Sequence, residues 1–192
     1  MKHAVVCVLL LAASLLCAQS AAPADNDDLT KLYRADQSER QGTNVDWSAL
    51  YHRDIERRAQ LRQMLANGKV VTGADYYHAA MILQHGENPD DYLLAHVLAV
   101  DALSKGNLDA RWLAAATLDR YLRSIWQPQI YGTQYKMTAD KTWVHETMNE
   151  NMLSDPVRSA ACVVSLAQQN QNLAAASEKS APGGTGIKNC PR

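Results

Sequence analysis

Histidine, aspartate and arginine supply much of the acid–base and anion-binding chemistry available near neutral pH, and this chain sets them on stretches whose spacing is otherwise apolar and helical. His78, Met81, Ile82 and His85 share one helix face, because seven residues bring a helix round to within ~20° of its start. Leu93, His96, Val97 and Val100 make a second stripe, and Leu108, Trp112, Ala115, Asp119 and Leu122 a third. Polar groups on core-facing stripes need partners, since one left unpaired in the interior costs ~1–3 kcal/mol. Antiparallel pairing across two short turns sets His78 opposite His96 and brings Asp119 within one turn of His96, which predicts a hydrogen bond between His96 and Asp119. His85, preceded by Gln84, falls at the other end, where the helix bearing Arg120 also finishes. If the protein is an enzyme, His85 is the residue placed to act as a general acid or base.

The stretch PQIYGTQ, residues 128–134, leaves that same end. Pro128 stops the helix, and Gly132 permits a backbone turn that a side chain would obstruct. Gln129, Tyr131, Thr133 and Gln134 then offer donors and acceptors toward Gln84, His85 and Arg120. The expected function is binding of a small polar or anionic ligand in a cleft lined by His85, Arg120 and this loop. Arg120 would be the charge partner, Gln129 and Gln134 the orienters and Tyr131 a stacking wall; Gln84, Asp119 and Gly132 complete the expected ligand-binding set. The alternative is a helical-hairpin protein–protein interaction module in which the same residues only lock the loop in place. Asp36 and Arg40 have the spacing of an i,i+4 surface pair, worth little.

Six histidines invite a metal reading that their spacing does not support. His78 and His85 lie ~10 Å apart along a helix axis, too far to share one ion with ligand bonds of ~2 Å. Convergence of His78, His96 and Asp119 across helices is the one arrangement that could do so. HETMN at 145–149 lacks the second histidine of a zinc-protease motif, and GGTGIK at 183–188 lacks the Lys-Ser/Thr ending and preceding strand of a P-loop. No cofactor and no metal are expected.

The elements that must hold these residues are readable from their punctuation. Thr72 and Asp75 make a capping-box start before YYHAAMILQH, with Gly86 as stop. Asn88 and Pro89 start the next helix, Gly106 ends it, and Asn107 caps a third over about 108–124. Trp47, Leu50, Tyr51, Ile55, Leu61, Met64 and Leu65 give a helix a buried face ending at Asn67 and Gly68. A shorter helix is predicted around 28–40, and Asp155 with Pro156 opens one through PVRSAACVVSLAQQNQNLAAA. No segment shows sustained period-two alternation. The fold class is therefore all-α: a single domain of about five to six antiparallel helices with an ordered loop at 126–142. The 34 residues from Gly73 to Gly106 have the length of a helical-hairpin repeat, yet no second copy follows.

Residues 1–20 have the layout of a signal peptide, with an apolar run from Ala4 to Leu16 and cleavage expected after Ser20. That run is too short to span a membrane. Cys17 invites a lipid anchor, but bulky Leu16 precedes it, so the lipoprotein reading is the weaker one. The protein is expected to be exported, periplasmic or secreted, with residues 21–27 a flexible linker, 28–172 the domain and 173–192 an irregular tail. Cys162 and Cys190 remain and, in an oxidising compartment, are expected to form a disulfide worth ~3 kcal/mol that ties the tail down. With both paired, no covalent cysteine nucleophile is expected. Loss of Lys2 with the leader leaves 18 Lys plus Arg against 20 Asp plus Glu, a charge of −2. Without a basic stripe, nucleic acid is excluded as a partner; a small polar ligand or an envelope protein remains, with no transmembrane segment in the mature chain.

MILQHG at 81–86, Asp119 with Arg120, and PQIYGTQ together resemble the bacterial family of unknown function DUF6624. The resemblance covers about residues 28–168. It implies a helical fold and marks Gln84, His85, Asp119, Arg120, Gln129, Tyr131, Gly132 and Gln134 as signature positions, while implying no activity, substrate or cofactor.

Overall fold

The structure is a computed structural model and describes residues 22–41 and 44–178. Among them it is mostly helical: α1 (Asp27–Ser38), α2 (Trp47–Ala66), α3 (Gly73–Leu83), α4 (Pro89–Ser104), α5 (Ala110–Ser124), α6 (Asp155–Ala160) and α7 (Leu166–Glu178), with a two-stranded sheet of β1 (Tyr135–Met137) and β2 (Trp143–His145). None of these helices is long and apolar enough to cross a membrane.

Capping chemistry explains most helix starts. Asn26 accepts the amides of Asp28 and Leu29 at α1, Asp46 that of Ala49 at α2, and Asn88 that of Asp91 at α4. Thr72 and Asp75 close the full capping box at α3. Asp75 also accepts the Asn26 amide at 2.7 Å, so the α1 entrance is tied to α3 and the helix begins within the stretch expected to be a linker.

α3, α4 and α5 run as two successive helical hairpins. α3 packs on α4, α4 on α5, and α1 and α2 lie against α3. The contacts are alanine-rich: Ala79, Ala80, Ala95, Ala99, Ala102, Ala110 and Ala116 are fully buried, which lets the axes approach closely. Leu29, Leu61, Ile82, Leu83, Leu98 and Leu113 fill the remaining core.

Several expected faces are rotated. On α2, Trp47, Tyr51 and Ile55 are exposed while Arg57 and Arg58 are buried, because α1 and the α3–α4 turn meet α2 with carboxylates rather than apolar side chains. On α4, Leu93, Val97 and Val100 face solvent, and Ala95, Leu98, Ala99 and Ala102 make the buried face. α4 lies between α3 and α5, and small residues suit that position better than a large apolar stripe does. α5 starts at Ala110 rather than near residue 108, leaving Leu108 exposed, and Asn107 accepts the Asp109 amide in the preceding turn.

Two departures involve the chain after α5. β1 and β2 pair antiparallel with Tyr135 opposite His145 and Met137 opposite Trp143; three residues per strand are too few for a readable period-two pattern. The expected C-terminal helix is broken into α6 and α7. Cys162 takes a left-handed conformation, φ 59°, while the Val163 amide closes back on Arg158 O at 2.9 Å, a Schellman end to α6. α7 continues through residue 172 to Glu178, past the expected start of the irregular tail. Cys162 is buried; its expected partner Cys190 and the leader at 1–20 lie outside the described residues.

Candidate functional site

Asp119 is fully buried on α5 and accepts four hydrogen bonds from the loop that follows. One carboxylate oxygen takes the amides of Ile130 and Tyr131 at 2.8 and 3.1 Å, and the other takes the amide and hydroxyl of Thr133 at 3.0 and 2.8 Å. A carboxylate is acceptor-only, so converging donors suit it better than they suit an amide. The expected hydrogen bond to His96 is absent: His96 Nδ1 instead lies 2.9 Å from Ala114 O. His78 stacks on Tyr33 with centroids 4.3 Å apart and meets Thr30 Oγ1 at 3.4 Å. His78, His96 and Asp119 therefore do not converge, and no cluster of three metal-ligating side chains occurs among the described residues.

The amides of PQIYGTQ are spent inside the loop. Gln129 Nε2 donates to Gln134 O at 2.8 Å and Glu146 O at 3.1 Å, while Gln129 Oε1 accepts the Gln134 amide at 2.9 Å. The Gln129 backbone bridges to Thr147 and Asn149. Gln134 Nε2 reaches Thr133 Oγ1 at 3.0 Å and, more loosely, Ala116 O. Gly132 has φ 83°, and a Cβ there would lie 2.2 Å from Gln169 Oε1. Gln169 cannot retreat, because its Nε2 is held by Tyr131 O and Val164 O at 3.0 and 2.9 Å. Gln129, Gly132 and Gln134 thus lock the loop. Tyr131 is half-buried, and burial followed by the Asp119 charge pushes its phenol up. Gln84 is buried, with its Nε2 3.2 Å from Met81 Sδ.

A second cluster surrounds His85, at the end of α3. Its Nδ1 lies 3.3 and 3.2 Å from the two oxygens of Asp36. Asp36 is not the surface residue expected from its spacing: it is 0 % exposed, because α1 lays it against the end of α3. Gln37 Nε2 donates to it at 2.6 Å and Arg40 pairs with it at 2.9 Å. Arg40 continues to Asp54 at 2.5 Å, and Arg57 joins Asp54 to Glu39. On the other side, Arg58 donates to His85 O at 3.0 Å and pairs with Glu87, while Arg62 pairs with Asp91. Burial pushes the His85 imidazole below its ordinary range; Asp36 opposes that shift, and the charges of Arg40 and Arg120 add to it. Near pH 7 the ring is then neutral. With its Nδ1 hydrogen on Asp36, the lone pair stands on Nε2, the form a general base requires.

Arg120 stands apart from this network. Arg57, Arg58 and Arg158 each meet a carboxylate, whereas Arg120 makes no ion pair or hydrogen bond among the described residues, and its buried Nε has no acceptor. Burial pushes the guanidinium down, Tyr92 opposes this, and Arg123 adds to it. An arginine does not give up its proton in a protein, so this direction expresses the cost of partly desolvating a cation that has no anion beside it among the described residues. Adjacent helical residues point about 100° apart. Asp119 can therefore hold the loop while the charge of Arg120, on a different face, acts on His85.

Beside this cluster lies a cleft of about 580 Å³ between the start of α4, the end of α5 and the hairpin. Glu87 and Tyr92 border it next to His85, and Arg123 one turn beyond Arg120, with Trp126, Pro128 and Lys136 on the rim. Of PQIYGTQ, Pro128 alone lines it; His85 and Arg120 do not. Sequence spacing concealed Asp36, the buried α2 arginines and Trp126, all set by tertiary placement. The chain matches no protein-family model, no curated protein and no solved structure.

Proposed function

We propose that this domain binds a small anionic ligand at the guanidinium of Arg120, beside His85, and that His85 serves there as a general acid or base positioned by Asp36. The observation that carries this reading is the half-buried Arg120 guanidinium, its Nε closed to solvent and without an anionic partner among the described residues, in a protein whose Arg57, Arg58 and Arg158 all have one. An incoming carboxylate, phosphate or sulfate would accept from the guanidinium and pair a partly desolvated charge. It would also cancel the field that Arg120 exerts on His85, so binding takes up a proton in the range where His85 titrates. Gln84-His85 and Asp119-Arg120, two of the motifs behind the resemblance to DUF6624, supply both sides of this site. The loop residues Gln129, Gly132 and Gln134 support it by fixing the chain after α5.

The test is a melting-temperature panel at low ionic strength with phosphate, sulfate, acetate, succinate and citrate, for the wild type and Arg120→Met. The wild type should rise with at least one anion and the variant with none, while the variant alone melts at or above the wild-type temperature. Equal responses in both proteins, or none in either, would remove the proposal. A second reading, protein-partner binding, draws on the exposed row Leu93, Val97 and Val100 along α4. Val97→Glu should then abolish pull-down of an envelope partner that Arg120→Met still captures.

A further inference from the structure

Trp126 occupies a position that costs stability and returns none. α5 ends in a Schellman motif: the Gln127 amide closes on Leu122 O at 2.8 Å and the Trp126 amide on Arg123 O at 3.1 Å. The residue between these closures must be left-handed, and glycine fills that role without a steric penalty. Here it is tryptophan, at φ 61°, with a side chain 94 % exposed. A bulky residue in this region is strained, and an exposed indole recovers nothing by burial. Its presence has a physical reason if something beyond the described residues covers it.

The surroundings indicate what that is. Trp126 borders the 580 Å³ cleft together with Arg123, Lys136 and Glu146. Glu146 is shared by Arg123 at 3.4 Å and Lys136 at 3.7 Å, both longer than the 2.7–2.9 Å of a tight charge-assisted bond, so all three groups have capacity left. Glu87, on the opposite side, is already committed to Arg58 and to the Tyr51 hydroxyl. A flat apolar platform edged by both donors and acceptors suits a ring with an apolar face and a rim of hydroxyls, each able to donate and accept. A phosphate-rich ligand would meet the two carboxylates, and an apolar protein surface would strand the charges. We infer that the cleft is a saccharide-binding site in which the Trp126 indole stacks on a pyranose ring while Arg123, Lys136 and Glu146 take its hydroxyls.

Arg120 does not line this cleft, so the two sites stand or fall separately. Titrations of the wild type and Trp126→Gly by calorimetry and intrinsic fluorescence would use three probes: cellotetraose, a chitin tetramer and a galacturonic acid trimer. Glycine is the residue the backbone prefers at this position, so Trp126→Gly should melt no lower than the wild type. At least one sugar should bind the wild type and lose tenfold or more in affinity in Trp126→Gly, with Trp126→Phe in between and Arg120→Met unaffected. Silence of the wild type toward all three sugars, or equal affinity in Trp126→Gly, overturns the inference. A marked fall in the melting temperature of Trp126→Gly does so too, because the indole would then have a structural role.

Discussion

Replacing Asp119 with asparagine is nearly isosteric but removes the charge and turns one acceptor into a donor. The side-chain oxygen can be kept for Ile130 and Tyr131, whose amides lie 2.8 and 3.1 Å from one carboxylate oxygen. The new amide nitrogen then faces the Thr133 amide, which was bonded at 3.0 Å; the Thr133 hydroxyl can rotate to accept, but the backbone N–H cannot. An unsatisfied buried donor costs ~1–3 kcal/mol, and each surviving bond falls from the charged to the neutral range, a loss of ~1 kcal/mol apiece. Relief from burying a charge offsets part of this, leaving a net destabilisation of about 3 kcal/mol. For a domain of this size the melting temperature should fall by on the order of 6–12 °C. Calorimetry gives that figure, and hydrogen exchange at Ile130, Tyr131 and Thr133 localises it to the loop. A variant melting within ~2 °C of the wild type, with those amides equally protected, would refute the lock.

Two further outcomes follow from the same geometry. Gly132→Ala places a methyl 2.2 Å from Gln169 Oε1 at φ 83°; left-handed strain plus disturbance of the Gln169 hydrogen bonds should cost about 2–4 kcal/mol in urea denaturation. Burial lowers the pKa of His78, His85 and His145 from 6.5. The unfolded chain therefore binds more protons than the folded one in the window below 6.5, and stability is lost as pH falls through it. Glu39, where burial acts against the lowering by Arg57 and Arg53, is held below 4.5 and extends the same trend to lower pH. The protein should melt lower at about pH 5 than at about pH 7.5, with part of the difference removed by His85→Gln.

Local chemistry made the helices legible. Thr72 with Asp75, and Asn88 with Pro89, act through neighbours three or fewer residues away, and the structure keeps both starts. Orientation was less legible, because the stripes of α2 and α4 are settled by what packs on them. Arg57 and Arg58 go inside where α1 and the α3–α4 turn supply carboxylates, and Asp36 is buried by a contact 49 residues away in sequence. The polar loop was visible as an unusual cluster, yet its glutamines bond the loop itself and the neighbouring Glu146 and Ala116 carbonyls rather than pointing outward. Composition cannot separate these two uses of an amide. Of the expected site, His85 and Arg120 keep a chemistry that the fold does not consume.

The most direct test of that pairing is the titration of His85 itself. Side-chain NMR, assigned with His85→Gln, would follow the imidazole with pH in the wild type and Arg120→Met, each without added anion and with saturating sulfate or succinate. In the free wild type the pKa should lie below 6.5 and move up when the anion neutralises Arg120; in Arg120→Met it should start higher and ignore the anion. A wild-type His85 that titrates identically with and without either anion, or that matches the variant throughout, would contradict a shared anion site.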